Sequence, residues 1–325
     1  MVMNLKKPIL TIAVPTYNRK VYLKECLEHI IPQLDDDVEV LVCDNASTDG
    51  TYEFMINYCK EYSFIKYIRN EKNIGADGNF LKCLRVGKGK FIHLLSDDDI
   101  LLDGSINKIK ECILNEVELS FIYLNITEID NGSVPSKCKT SVFTMNDDLY
   151  FEDKNLFIEY IDIYATFVSG MIFNKELFNS INNPEQYLNT YLFQSHILFK
   201  LISMKEKILI ISKPCIAGRS GNSGGYNFYE VFSFYWKQVL FDTGLNNGFS
   251  KRSLNKVYKN TIKKFLRSGT ILMKTRDTKF IFTGYGLIFK ETYKYPVAWL
   301  YLYPFFIMPS RLIVILRKIY KKVKK

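Results

Sequence analysis

The chain has 325 residues, 47% hydrophobic and 15% aromatic, which excludes a disordered protein and leaves room for one large domain or one domain with an appendage. Seven scattered cysteines with no C-x-x-C pair argue against a zinc site or a disulfide frame and for a reduced, cytosolic compartment. The net charge of +10 is unevenly held: residues 1–244 carry 25 Lys+Arg against 32 Asp+Glu, and residues 245–325 carry 19 against 2.

In chain order, MVMNLKKPILTIAVP lacks the apolar core of a signal peptide and reads as the lead into a strand at Ile9–Val14. Apolar residues at helical spacing from Val21 to Leu34 predict a helix over Asn18–Leu34. Val38–Cys43 is a second strand, and Thr48 and Asp49 are good capping residues for a helix at Thr51–Glu61. Phe64–Ile68 is a third strand, followed by a helix at Asp77–Val86. Phe91–Leu95 is a fourth strand, with a helix at Asp103–Leu114 and a fifth strand at Leu119–Leu124. Strands alternating with helices at this pace predict a mostly parallel sheet flanked by helices on both faces. Beyond Asp130 the pattern is less regular, with a strand at Phe167–Phe173 broken by Ser169-Gly170, a helix at Tyr187–Met204 and a strand at Ile208–Ile211. A glycine-rich loop, Gly218–Gly225, and an aromatic helix near Tyr229–Phe241 follow.

The last third is basic and amphipathic. Ser253–Leu266 puts Leu254, Val257, Tyr258, Ile262, Phe265 and Leu266 on one face and its lysines elsewhere. Residues 296–315 are apolar apart from Ser310 and Arg311, and lysines follow. The length approaches the roughly 20 residues of a membrane span. Pro304, Pro309 and Arg311 disfavour a straight one. The segment is expected to be interfacial or partly inserted, with the terminal lysines on anionic lipid headgroups, packing on the protein's own core being the competing reading. Nucleic acid is not an expected partner, because the charge flanks apolar sequence rather than a polar groove. The expected organisation is a domain at 1–244, with a nucleotide-binding half at 8–125 and an acceptor half at 126–244, and a membrane-associating region at 245–325.

Four loops end the four predicted parallel strands: Pro15–Arg19, Asp44–Thr51, Asn70–Gly75 and Ser96–Asp99. A parallel sheet gathers them on one edge, where open α/β sheets bind ligands. Alone each has an ordinary explanation, as turn, cap or strand end. Three adjacent carboxylates after a buried strand suggest a divalent cation, and the loops around them a nucleotide. No G-x-G-x-x-G and no G-x-x-x-x-G-K-[ST] is present, which argues against a dinucleotide fold and a P-loop.

TIAVPTYNR, VLVCDNASTDGT, RNEKNIGADGN and LLSDDDILL, in this order and spacing, resemble the family 2 glycosyltransferases, inverting enzymes of the type A glycosyltransferase fold. The resemblance covers about residues 8–115. It implies that Pro15, Tyr17 and Asn18 line a nucleoside pocket, that Asp44 accepts from the base, commonly uracil, and that Asp49 belongs to the same pattern. Gly75 and Asn79 would sit near base and ribose, and Ser96 and Asp97 toward the ribose. Asp98, with Asp99 beside it, would hold Mn²⁺ or Mg²⁺ on the diphosphate. Ser96 departs from the family, which commonly has an acid there. The family's base is usually an Asp in a Glu-Asp pair opening a later helix; here the pair reads Gln194-Ser195. His196 beside it is a candidate base, with a packed helix histidine as the alternative. Arg219, in the glycine-rich loop, could close on a phosphate, or the loop could be plain surface. FVSG at 167–170, QSH and NSGG also resemble the subgroup that builds bacterial surface polysaccharides, including abequosyltransferase-like enzymes. The implied activity is sugar transfer from a nucleotide-diphosphate sugar, UDP-linked by preference, to a lipid-linked or growing glycan acceptor. The expected place is the inner face of the cell membrane. The alternative is a membrane-associated scaffold that keeps the fold without transfer, suggested by the missing Glu-Asp pair.

Overall fold

The computed structural model describes residues 7–116, 118–130, 141–205, 207–220, 225–275 and 285–323. Its residues fall into two compact units, Met1–Phe157 with Tyr164–Gly224, and Ile158–Ile163 with Gly225–Lys325.

The first unit is built on a nine-stranded sheet: β1 Leu10–Thr16, β2 Val38–Asp44, β3 Ile65–Arg69, β4 Phe91–Leu94, β5 Ile100–Leu101, β6 Phe121–Asp130, β7 Leu149–Phe151, β8 Met171–Asn174 and β9 Ile208–Ser220. The spatial order is β3-β2-β1-β4-β8-β6-β9-β5, with β7 also paired to β9. The first four strands are parallel. Beyond β4 the sheet is mixed, because β8 runs antiparallel to both β4 and β6 while β6 and β9 are parallel.

The helices follow the strands closely. α1 (Lys20–Ile30), α2 (Thr51–Glu61), α3 (Gly75–Val86) and α4 (Ser105–Asn115) connect the early strands. Period-2 alternation assigns the faces: Leu10, Ile12 and Val14 of β1 share one cluster with Leu23 and Leu27 of α1, Met55 of α2 and Ile109 of α4. α3 packs against β1, β2 and the later helix α7. The fifth expected strand runs longer than its apolar core, to Asp130, because its partner β9 extends through Ser220. At Ser169-Gly170 the chain makes a single tight helical turn before β8, which explains the break anticipated there. After α5 (Lys154–Ile161) and α6 (Lys175–Asn179), the helix expected from Tyr187 starts only at Phe193 as α7 (Phe193–Met204). Asn189 and Tyr191, with φ of 64° and 58°, break the helical path before it.

The second unit is helical. Trp236–Gln238 (α8) is flanked by wider, π-type turns at Glu230–Tyr235 and Val239–Gly244. α9 (Lys251–Asn260) runs through a further π-type stretch into α10 (Arg267–Thr275). Leu254, Val257, Tyr258, Ile262 and Leu266 are buried as the amphipathic pattern anticipated, and the indole of Trp236 donates to Thr261 Oγ1 at 3.1 Å. α11 (Tyr285–Thr292), α12 (Pro296–Tyr301), α13 (Tyr303–Ile307) and α14 (Ser310–Val323) complete it. Among the described residues no single helix is long and apolar enough to cross a membrane; one pair, Pro296–Ile307 with Ser310–Arg317, passes together but is bent by 113°.

Candidate active site

Parallel pairing sets the site. Thr16 stands beside Asp44 and Asp44 beside Arg69 in register, and Leu95 N donates to Ala13 O at 3.0 Å, so the loops after β1 to β4 leave one edge. Local chemistry shapes each loop. Asn18, in the left-handed region at φ 53°, accepts from Thr48 N at 2.7 Å through its side chain, while its own N–H donates to Ser47 Oγ at 2.9 Å. Asp49 accepts from Lys20 N at 2.9 Å and from Thr51 Oγ1 at 2.5 Å, tying the starts of α1 and α2 together. Burial works to raise its pKa, but the hydrogen bonds from Thr51 and Lys20 outweigh burial and lower it. Pro15 is buried in β1 whereas Tyr17 is exposed at the mouth.

Asp44 is fully buried and already fully engaged. Its carboxylate accepts from Ser47 N at 2.9 Å and Tyr67 OH at 2.7 Å, with Arg69 Nε at 3.5 Å. Burial and then the Asp44 contact push the Tyr67 phenol far up, keeping it a donor. Asn79 is buried in an amide network: it donates to Cys43 O at 2.8 Å and accepts from Asn70, which also donates to Asn45. Gly75 has φ +77° with open space where a side chain would stand, so this loop surface is unobstructed.

The acidic turn after β4 divides its carboxylates between tasks. Asp97 is buried, accepting from Thr16 Oγ1 at 2.7 Å and facing Arg19 Nη1 at 3.3 Å. Burial pushes its pKa up to about 7 against the opposing pull of Thr16 and Arg19. Asp98 keeps 11% of its side chain exposed, pairs with Arg19 at 2.9 Å and accepts from Ser96 Oγ at 2.5 Å. Asp99 was expected beside the metal; instead it faces inward. Its two oxygens accept from Ser169 Oγ at 2.6 Å and Arg219 N at 2.9 Å, and burial followed by the Asp98 charge raises its pKa. It fastens β9 and the turn before β8 to the acidic loop, a structural task.

These donors decide how a divalent cation fits. Among the described residues no three His, Cys, Asp or Glu converge as a metal cage. Asp98 alone offers a partly open carboxylate, a hard oxygen suited to a cation whose remaining positions belong to phosphate oxygens and water. That is the mode Mg²⁺ and Mn²⁺ adopt on diphosphates, and Asp98 fits it.

Arg219 does not behave as a mobile phosphate ligand. It lies at the end of β9 with its side chain 3% exposed, paired with Glu25 at 2.8 Å and donating through Nε to Asp98 O at 3.0 Å. The ion pair with half-exposed Glu25 and the bond to the Asp98 carbonyl hold it in place. The NSGG part of the loop, at 222–225, lies largely outside the described residues.

At the start of α7, Gln194 Nε2 donates to Thr166 O at 3.0 Å and Ser195 Oγ to Ala165 O at 2.8 Å, so both are packing contacts. His196 is buried with its ring stacked on Tyr187 at 4.6 Å and 11°. Burial drives its pKa down to about 3, out of the near-neutral range expected for it. His93 is likewise buried in β4, donating through Nε2 to Ser169 O at 2.8 Å. Sequence reasoning passed over Arg19, which sits inside PTYNR, and Asp77, which sits inside IGADGN. Asp77 accepts from Thr190 N at 2.8 Å, Tyr191 N at 2.9 Å and Phe193 N at 3.4 Å, and so sets where α7 begins.

The model of the family described as glycosyl transferase family 2 matches residues 11–181. Among curated proteins, abequosyltransferase RfbV of Salmonella typhimurium is 29% identical over 225 residues, 66% of this chain and 67% of that protein. A GalNAc(5)-diNAcBac-PP-undecaprenol beta-1,3-glucosyltransferase of Campylobacter jejuni is 35% identical over 105 residues, 32% of this chain and 34% of that one. Among solved structures, S. aureus TarS in complex with UDP superposes with a TM-score of 0.60 at 18% identity, covering 82% of this chain and 75% of that one. A mannosyltransferase of Pyrobaculum calidifontis in complex with GDP-Man and Mn²⁺ gives 0.53 at 16% identity over 80% of this chain and 71% of that one. These two likenesses establish the fold.

Proposed function

The chain belongs to glycosyl transferase family 2, and we propose that it moves a sugar from a nucleotide-diphosphate sugar, with uridine favoured, to a lipid-linked or growing glycan acceptor. It is a glycosyltransferase of the surface-polysaccharide type. The observation that carries the finer reading is the meeting of Asp97, Asp98 and Arg19 at the same sheet edge as Asn18, Asp44 and Gly75. Uridine is supported by the likeness to a structure holding UDP. The lipid-linked acceptor is supported by the Campylobacter relative, whose name gives an undecaprenol-linked substrate, and by the basic, apolar tail.

In transfer, the bond from the anomeric carbon to the diphosphate oxygen breaks and its electron pair leaves with the diphosphate. The acceptor hydroxyl forms the new bond from the opposite face, with inversion, and gives up its proton. Asp98 would hold the Mn²⁺ or Mg²⁺, which when bound neutralises the charge growing on the leaving diphosphate. Arg19 places a second positive charge beside it. Of Gln194, Ser195 and His196, only His196 can take a proton, and its ring is unprotonated at neutral pH. Buried against Tyr187, with a pKa of about 3, it is a weak base at most. We place the enzyme in the cytoplasm, peripheral to the inner face of the cell membrane. Screening nucleotide sugars for Mn²⁺-dependent hydrolysis tests the reading: turnover of one uridine-linked sugar is expected, and no turnover of any nucleotide sugar would overturn it.

A further inference from the structure

The helices α12, α13 and α14 present apolar side chains where a water-soluble face would be polar. On α14, Leu312, Ile315, Leu316 and Ile319 recur at i, i+3, i+4 and i+7 and are all exposed, while Ile313 turns inward. Trp299, Leu300 and Ile307 extend the exposed surface onto α12 and α13, with Ile307 85% exposed. The row on α14, with these further exposed apolar side chains, marks a surface made for burial elsewhere.

The elbow that sets this face is built. Lys274 Nζ donates to the carbonyls of Phe305 (2.9 Å), Phe306 (2.8 Å) and Met308 (2.8 Å), closing the C-terminus of α13 where helix carbonyls lack partners. Arg317 Nη1 donates to Thr275 Oγ1 at 3.0 Å, tying α14 to α10. α14 alone, 14 residues or about 21 Å at helical rise, is shorter than the roughly 30 Å of a bilayer core, and the pair of segments long enough together is bent by 113°.

Charge selects the occupant. Residues 292–325 hold eight Lys+Arg and no Asp or Glu, so two copies of this face repel, whereas an anionic surface attracts it. At the end of α11, Lys237, Lys290, Glu291 and Lys294 line a cavity of about 340 Å³ with Tyr293 and Tyr295; the Glu291 charge is matched by Lys237 at 2.7 Å, and Lys290 and Lys294 are exposed. We propose that α12–α14 is a monotopic anchor lying in the plane of an anionic phospholipid bilayer, with the exposed stripe at the acyl boundary and a headgroup phosphate at Lys290 and Lys294. This rests on the membrane placement proposed above and specifies how it is achieved.

Flotation of the full chain with vesicles of phosphatidylcholine, with and without phosphatidylglycerol, tests it. Binding is expected only with the anionic lipid. The paired variant Ile315→Glu/Leu316→Glu is expected to bind about tenfold more weakly or worse, and Lys290→Glu/Lys294→Glu about tenfold more weakly. Both should keep the thermal melt and UDP affinity of the unaltered chain. On the unaltered chain, Trp299 should be quenched best by bromines near the headgroups, Trp236 being buried. Undiminished binding of the stripe variant, deepest quenching at the bilayer centre, or a solution dimer that hides Trp299 would each overturn the anchor. No vesicle binding by the unaltered chain, with its Mn²⁺-dependent UDP binding intact, would sink the anchor and leave the transferase reading standing.

Discussion

Arg19 Nη1 lies 2.9 Å from Asp98 Oδ2 and 3.3 Å from Asp97 Oδ1, so a guanidinium already bridges two carboxylates of the acidic turn, one of them the proposed cation ligand Asp98. The bridge relieves the repulsion of adjacent acids after β4, yet it also competes for Asp98. Arg19→Ala should therefore tighten Mn²⁺ binding in the absence of nucleotide while lowering stability by about 1–3 kcal/mol. Manganese electron paramagnetic resonance and a thermal melt measure both. Unchanged metal affinity with an unchanged melt would show that the bridge does neither task.

Asp77, in the first turn of α3, is tied to the start of α7 through three backbone N–H groups. Asp77→Ala leaves them without an acceptor and should cost about 1–3 kcal/mol. Asp77→Asn keeps an acceptor oxygen and should cost less. Because the change displaces the start of α7 rather than the nucleotide loops, transfer should fall more than UDP affinity. Equal losses in both would contradict this division.

Asp44 organises Ser47, Tyr67 and Arg69 around one buried carboxylate. Asp44→Ala removes the acceptor and leaves the phenol and guanidinium facing each other. UDP affinity is expected to drop about tenfold, because the loop after β2 that Asp44 holds through Ser47 and Arg69 loses its buried acceptor. Titration calorimetry with UDP reads it, and affinity equal to that of the unaltered chain would remove Asp44 from the nucleoside pocket.

His196 carries a sign that pH can read. Its folded pKa of about 3 lies below its ordinary 6.5, so the unfolded chain binds the extra proton first. Stability tied to the neutral ring is fully present above about 6.5 and is lost as pH falls toward 3. Relative to His196→Phe, the unaltered chain should lose melting temperature on going from neutral pH to pH about 4.5. A constant difference between the two would show that the ring titrates normally. His196→Gln should also slow transfer without changing UDP affinity, if the ring takes the acceptor's proton; an unchanged rate would exclude that role.

The parallel half of the fold was legible because each of its strands is a short apolar run ended by a turn, with a helix of matching period after it. β1 to β4 and α1 to α4 lie within a few residues of where spacing put them. The mixed half was less legible, since the direction of β8 depends on where the chain returns to the sheet and no local pattern encodes that. At the site, the residue types were readable but their direction was not. Asp98 and Asp99 are alike in sequence, yet only contacts with Ser169 and Arg219, distant in the chain, turn Asp99 inward. Arg219 looked mobile beside glycines, while its partner Glu25 comes from α1. The exposed stripe of α14 showed only as an apolar run, because burial of Ile313 and exposure of its neighbours follow from the elbow held by Lys274.

Calorimetric titration of UDP into the unaltered chain and into Asp98→Asn, each with and without Mn²⁺, bears most directly on the site. The unaltered chain should bind UDP at least about tenfold more tightly with Mn²⁺, and Asp98→Asn should lose most of that gain while keeping the metal-free affinity. Binding of UDP that ignores Mn²⁺, or a metal effect that survives in Asp98→Asn, would contradict the assignment of the cation to this carboxylate.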